Sequence, residues 1–283
     1  MAIKLVASDL DGTIVSENNY IPESNFEAIN KMNKNNINFA ICTGKSYSIS
    51  KDICDKCNAT YGIFSNGSQI FNLKTGVQIF GQSLASDDIK SCYAIAKKYN
   101  LHVHAYSDDQ LVSEKLQYLD LRNFKLQKRV GFKFVIVPNV LEYIEKNNLP
   151  IHQFIISSSS SLGFVENEIL ENAHVSISKI SKFGQYRDRI LNKEYEYLSI
   201  VPYNTNKSNA IKFLSNYLSI DNTDVMAIGD NLNDVDMVKS SGVGVAVANA
   251  YSELKDVAKY TTQNSASDGG FAEAVYRFIE FEK

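Results

Sequence analysis

What this chain lacks narrows the field first. No apolar run approaches the ~20 residues that cross a bilayer. The N-terminus offers one lysine and a brief apolar run that meets Asp9 at once, which is not a secretory signal. Neither sign of charge dominates: 29 basic against 32 acidic residues give a net charge of −3, which speaks against nucleic acid as a main partner. There are four cysteines, Cys42, Cys54, Cys57 and Cys92, and one CxxC pair, Cys54-Asp-Lys-Cys57. No second such pair exists, and no histidine pair follows at zinc-finger spacing. Ser46 to Cys57 reads as a helix, on which residues i and i+3 simply share a face, so the pair reads as reduced and structural. No internal repeat is present. A cytoplasmic protein is expected, with neither membrane nor nucleic acid among its partners.

What is there is 283 residues, 44% hydrophobic and 22% charged, the profile of a globular protein of one large or two moderate domains. Its opening stretch organises the rest. Leu5, Val6 and Ala7 form a short apolar run of the kind buried in a sheet, and it stops at Asp9-Leu10-Asp11-Gly12-Thr13. Residues i and i+2 of an extended chain share a face, so both aspartates project from one strand end. Two like charges that close are costly unless a cation, a proton or a ligand relieves them. An ordinary Asp-Gly turn is the alternative.

Pro22 suits a helix's first turn, and Phe26, Ile29 and Met32 recur at helical spacing up to a stop at Asn35-Asn36. Ile37 to Cys42 is a second buried strand ending at Thr43-Gly44-Lys45. Strand, helix, strand in this order is a βαβ unit, with both strands parallel and their C-terminal ends together. A hydroxyl and backbone N–H groups at a strand end that opens a helix make an anion site, so Thr43 and Gly44 become candidate phosphate ligands. Tyr61 to Ser65 is a third strand, ending at Asn66-Gly67. A hairpin follows, from Ser68 to Asn72 and from Val77 to Gly81.

From 83 to 189 the rhythm changes, over a length suited to an inserted domain. It opens with a helix from Ser86 carrying Ile89, Cys92, Tyr93 and Ala96 on one face. Leu101 to Tyr106 alternates cleanly, which predicts one covered and one open sheet face. His102, His104 and Tyr106 share a face read as solvated, with substrate contact as the alternative. Further strands are expected at 131–137, 151–157 and 175–180, with helices near 140–146 and 164–171. Past 189 the α/β rhythm returns: strands at 197–201, 224–229 and 243–247, and helices starting at Lys207, near Ser252 and near Phe271. The expected architecture is therefore an α/β core from residues 1–82 and 190–283, interrupted by a domain at 83–189.

Asp9, Asp11, Thr43, Lys207, Asp230 and Asp234 all stand at strand ends or at a helix start. If those strands are parallel in one sheet, all six meet in a single crevice. Four carboxylates, a lysine and a hydroxyl suit a hard cation that receives a phosphate, and oxygen donors favour Mg2+ over zinc.

With these motifs in order, Asp9-Leu-Asp11-Gly12-Thr13, Thr43-Gly44, Lys207 and Gly229-Asp230-Asn-Leu-Asn233-Asp234, the sequence resembles the haloacid dehalogenase superfamily. The long insertion between the second and third motifs resembles its Cof-type phosphatases, and the likeness covers nearly the whole chain. It implies a Rossmann-like three-layer parallel-sheet core with an inserted α+β cap domain that selects the substrate. It also implies a Mg2+-dependent phosphatase of small phosphorylated metabolites, with sugar phosphates or nucleotide-like monophosphates as substrates. Carried over, Asp9 is the nucleophile that forms an aspartyl-phosphate. Asp11 is the acid for the leaving alcohol and then the base for water. Asp9, the Asp11 backbone carbonyl and Asp230 hold Mg2+, while Asp234 orients water bound to the metal. Thr43, Gly44, Lys207 and Asn233 bind phosphate oxygens. The motifs leave two other readings open: a hexose-phosphate mutase using the same nucleophile, and a phosphate-binding module without chemistry. Two departures stand out. Lys45 occupies the place where the second motif often has arginine, and a lysine cannot make the planar two-pronged contact of a guanidinium. Ser208 follows Lys207 where glycine is common, a change suited to a helix's first turn.

Overall fold

The computed structural model describes residues 2–16, 20–115, 132–180 and 196–281. It divides into two compact units, residues 1–44, 52–80 and 206–283 in one and 45–51 and 81–205 in the other. The boundary expected at 189 lies outside the described residues, as does Gly131.

The first unit is built on one sheet. Its strands are β1 (Leu5–Ser8), β2 (Asn38–Cys42), β3 (Tyr61–Phe64), β4 (Gln69–Asn72), β5 (Val77–Gly81), β12 (Val225–Gly229), β13 (Val243–Ala246) and β14 (Tyr260–Thr261). These eight lie in the order β14-β13-β12-β1-β2-β3-β4-β5. β1 lies between β2 and β12, parallel to both, with Ser8 opposite Ile41 and Ile228. β3 continues the parallel set and β4 reverses it. Strands β1, β3, β12 and β13 are buried along their whole length, and β2 from Phe39 onward, as the near-continuous apolar runs of a parallel sheet require. The helices are α1 (Glu23–Lys34), α2 (Tyr47–Lys56, of which residues 47–51 belong to the second unit), α6 (Lys207–Tyr217), α7 (Val235–Ser240), α8 (Ser252–Val257) and α9 (Gly270–Phe278). α1 packs on β2 and beside α9; α6 packs on β3 and beside α7. Phe39 of β2 meets Phe271 of α9 with ring centroids 5.7 Å apart. Asn36 adopts a left-handed backbone (φ 58°), as the asparagine stop after α1 anticipates. Because β1, β2, β3 and β12 are parallel, their C-terminal ends form one edge. That is where such a sheet places its ligand crevice.

The second unit holds a sheet of its own. It comprises β6 (His102–Tyr106), β7 (Gln110–Ser113), β8 (Lys133–Ile136), β9 (Gln153–Ser158), β10 (Val175–Ile180) and β11 (Glu196–Pro202). Their order is β10-β11-β9-β6-β7-β8. Helices α3 (Ser86–Lys98), α4 (Val140–Lys146) and α5 (Gly163–Asn172) build a core with it from Ile89, Cys92, Val103, Ala105, Phe154, Ile156 and Val165.

Two expectations are corrected here. Tyr197–Val201, assigned to the returning core rhythm, belongs to the second unit's sheet, antiparallel to both β10 and β9. A short apolar strand reads the same in either sheet, and only its partners decide. The supposedly open face of β6 is closed: His102, His104 and Tyr106 are 8%, 2% and 8% exposed. Tyr106 joins a second apolar cluster with Leu111, Phe132, Ile155 and Tyr197, against which Ile49 and Phe134 pack. Burial pushes His102 down to about 4, and it pushes His104 well below the usual range. Both are held as neutral imidazoles.

Candidate active site

Asp9 and Asp230 sit where strands of the first unit end, and Asp234 stands at the start of the helix that follows β12. β1 delivers Asp9, whose backbone N–H donates to Ile228 O of β12 at 2.9 Å. The chain then turns sharply through Gly12 (φ 85°), a conformation that glycine adopts without strain. A Cβ there would fall 2.3 Å from Asp230 Oδ2, so the turn and the β12 end fit only without a side chain. Thr13 Oγ1 donates to Asp230 Oδ1 at 2.9 Å, tying the first motif to the fourth.

At the centre stands Lys207, the first residue of α6 and 1% exposed. Its ammonium donates to Asp9 Oδ1 at 2.5 Å and to Asp234 Oδ1 at 2.6 Å. A lysine is buried this deeply only when paired. The other Asp234 oxygen accepts from the backbone N–H groups of Asp230 (3.0 Å) and Asn231 (2.9 Å). Asp234 is thus committed on both oxygens. Asn206 caps α6 by accepting from Asn209 N at 2.8 Å, which fixes the start of the helix and so the root of Lys207.

Asp9, Asp230 and Asp234 bring carboxylate oxygens within 4.8 Å of one another, all three buried. Against them stands one ammonium, leaving two surplus negative charges. The electrostatics carry that strain. Burial pushes the Asp9 carboxyl up to about 7, with Asp234 and Asp11 adding to the rise and Lys207 opposing it. Burial, with Asp9 and Asp234 nearby, raises Asp230 well above the carboxylate range. A divalent cation would cancel the surplus, and a donor set made only of oxygen suits a hard ion such as Mg2+. The residues present therefore fit that group.

The remaining candidates lie around this cluster. Thr43 is buried at the end of β2, and its carbonyl accepts from Asn66 N at 3.2 Å. Gly44 lies against Asn66, whose Oδ1 would be 3.1 Å from a Cβ placed on it. Asn233 donates from Nδ2 to Asn66 Oδ1 at 3.1 Å. Asp11 is half-buried beside Gly12. The thiols play no part: Cys54 and Cys57 are buried and unbridged, and burial pushes the Cys57 thiol up to about 12.

Sequence reasoning leaves out two residues of this neighbourhood. Asn66 reads there as a strand end alone, although a polar turn on the same sheet edge as Asp9 is an available signal. Asn249 follows β13; its Nδ2 donates to Gly12 O at 2.8 Å and its Oδ1 accepts from Ala266 N at 2.7 Å.

The chain is similar to known proteins over nearly its whole length. The family model for haloacid dehalogenase-like hydrolases matches residues 6–275. The chain belongs to that family. Among its relatives is a 5-amino-6-(5-phospho-D-ribitylamino)uracil phosphatase of Bacillus subtilis, 25% identical over 98% of this chain and 96% of that protein. A haloacid dehalogenase-like hydrolase from Bacteroides thetaiotaomicron has the same fold, with a TM-score of 0.79 and 22% identity over 98% of this chain and 100% of that one. So does a sugar phosphatase of subclass IIB of the superfamily, with a TM-score of 0.76 and 20% identity over 97% and 98%. The family is therefore the one that the four sequence motifs resemble, and phosphatases, one of them a subclass IIB sugar phosphatase, are among the proteins similar to this chain. No helix among the described residues is long and apolar enough to cross a membrane.

Proposed function

We propose that this protein is a cytoplasmic, Mg2+-dependent phosphatase of small phosphorylated metabolites, sugar phosphates or nucleotide-like monophosphates. The observation that carries the reading is the buried lysine shared between Asp9 and Asp234, beside Asp230. A merely structural ion pair would not gather three acids around one base and leave two charges unmet. The names of the relatives, one acting on a phosphoribityl compound and one on sugar phosphates, support the substrate class.

The chain's residues divide the work as follows. Asp9 attacks phosphorus, forming a carboxylate–phosphorus bond while the bond to the substrate alcohol breaks. Asp11 gives its proton to the departing oxygen, then takes one from the water that attacks phosphorus and releases inorganic phosphate and a free Asp9. Lys207 keeps Asp9 oriented and, with Thr43, the Gly44 N–H and Asn233, meets the charge on the transferring phosphoryl group. Asp9, the Asp11 carbonyl and Asp230 would hold Mg2+, which when bound offsets the repulsion between an anionic nucleophile and an anionic phosphate. Asp234, already bonded on both oxygens, suits the role of orienting the ion's water rather than binding the ion.

The test is a screen of phosphorylated metabolites for phosphate release, with Mg2+ and with EDTA. The expected result is turnover of a subset of sugar or nucleotide-like monophosphates, abolished by chelation. No release from any of them would overturn the reading. Isomerised sugar phosphate without free phosphate would replace it with the mutase.

A further inference from the structure

Between β3 and β4 the backbone does something costly. Ser65 (φ 49°), Asn66 (φ 55°) and Gly67 (φ 113°) run through the left-handed region in succession. Glycine does this freely and asparagine tolerates it, but serine does not favour it. The turn is also buried, with Ser65 and Asn66 0% and 1% exposed. The Ser65 hydroxyl finds no hydrogen-bond partner among the described residues, so no side-chain bond of its own compensates for the kink. Buried outliers of this kind persist where the surroundings enforce them, and they gather at functional sites.

The surroundings here are three of the four motifs. The Asn66 N–H donates to Thr43 O at 3.2 Å. Its side-chain oxygen accepts from Asn233 Nδ2 at 3.1 Å. Its amide lies so close to Gly44 that a Cβ there would sit 3.1 Å from Oδ1 and 3.3 Å from Nδ2. One residue on, a Cβ at Gly67 would fall 2.6 Å from the carbonyl of Asn206, the cap in front of Lys207. A short, strained turn thus touches the Thr43-Gly44 loop, the α6 cap and the Asn233 loop together.

We infer that Asn66 is a positioning residue for phosphate binding, acting through Asn233. An amide nitrogen carries two hydrogens. With one donated to Asn66 Oδ1, the direction of the other is set, and it can be aimed at a phosphate oxygen. Without that acceptor Asn233 rotates freely about its side-chain bonds, and its donor must be ordered each time a phosphoester binds. The inference rests on the phosphatase reading, and it makes the left-handed turn the device that presents Asn233 to the substrate.

Asn66→Gly separates the roles, because glycine keeps the backbone conformation and the N–H to Thr43 while removing the acceptor. With p-nitrophenyl phosphate as substrate and inorganic phosphate as competing ligand, KM and the phosphate inhibition constant should each rise by roughly tenfold, the scale of one hydrogen bond lost in binding. The change in kcat should be smaller, and the melting temperature unchanged or higher. Asn233→Ala should produce a similar loss, and the double variant should lose no more than either single one, because both remove the same interaction. An Asn66→Gly enzyme within twofold of wild type in both constants, or losses that multiply in the double variant, would overturn the inference. Wild-type protein that hydrolyses no phosphoester at all would remove the phosphatase reading and this inference with it.

Discussion

Gly12 and Asp230, 218 positions apart in sequence, are in such close contact that the position of a Cβ on the glycine falls 2.3 Å from an Asp230 carboxylate oxygen. The turn after β1 and the end of β12 are therefore fitted to each other at the point where the two acidic motifs meet. Gly12→Ala should displace Asp230, costing about 1–3 kcal/mol of stability from overpacking and the unfavourable φ. Turnover should fall by about 100-fold, the scale of a misplaced catalytic geometry. Gly12→Asn tolerates the backbone better but keeps the clash, so it should lose activity equally. Urea denaturation and steady-state kinetics check both.

The surplus negative charge of the site implies opposite effects of one substitution on stability and on metal binding. Asp230→Asn removes an acid that burial forces toward its protonated form in the metal-free protein, while its oxygen can still accept from Thr13. Metal-free Asp230→Asn should melt above the metal-free wild type. Added Mg2+ should stabilise the wild type, by about 2.7 kcal/mol at a concentration one hundred times its dissociation constant, and the variant hardly at all. Thermal denaturation with EDTA and with Mg2+ measures both effects.

The histidines of β6 make the second unit sensitive to acid. His102 sits at about 4 in the folded protein against 6.5 for an ordinary histidine, held down by burial and by Lys115. Between those values the unfolded chain binds a proton that the folded one refuses, so stability is full above pH 6.5 and falls as the pH drops toward 4. The loss should reach about 3 kcal/mol from His102 alone, at about 1.4 kcal/mol for each tenfold difference in proton affinity. Buried His104 is displaced in the same direction and adds to it. His102→Gln should flatten the profile. Urea denaturation of the full chain from about pH 4 up to neutrality is the check.

Much of the core could be read from the sequence because its signals are local. The apolar run of β1 ending at two aspartates, the βαβ order through α1, and the lysine opening α6 each declare themselves within a short stretch of chain. Parallel topology then carries Asp9, Lys207 and Asp234 to one sheet edge, where the structure bonds them. What escaped is decided at long range. β7 spans only Gln110–Ser113 and offers too little alternation to register. Tyr197–Val201 is an apolar strand that either sheet could accept. The β6 face looks open by alternation, yet a second apolar cluster closes it. Asn66 and Asn249 act through partners on distant loops, Asn233 in one case and Gly12 with Ala266 in the other. No spacing rule links such positions.

Transfer of the phosphoryl group to Asp9 is the step on which the proposed activity depends, and mass spectrometry of the acid-quenched enzyme during turnover tests it most directly. With p-nitrophenyl phosphate, whose leaving group departs without a proton, the expected result is a phosphorylated peptide carrying the modification at Asp9, accumulating in Asp11→Asn, where water attack lacks its base, and missing in Asp9→Asn, which should be inactive. Undiminished turnover by Asp9→Asn, or a phosphoryl group carried on another residue, would contradict the account.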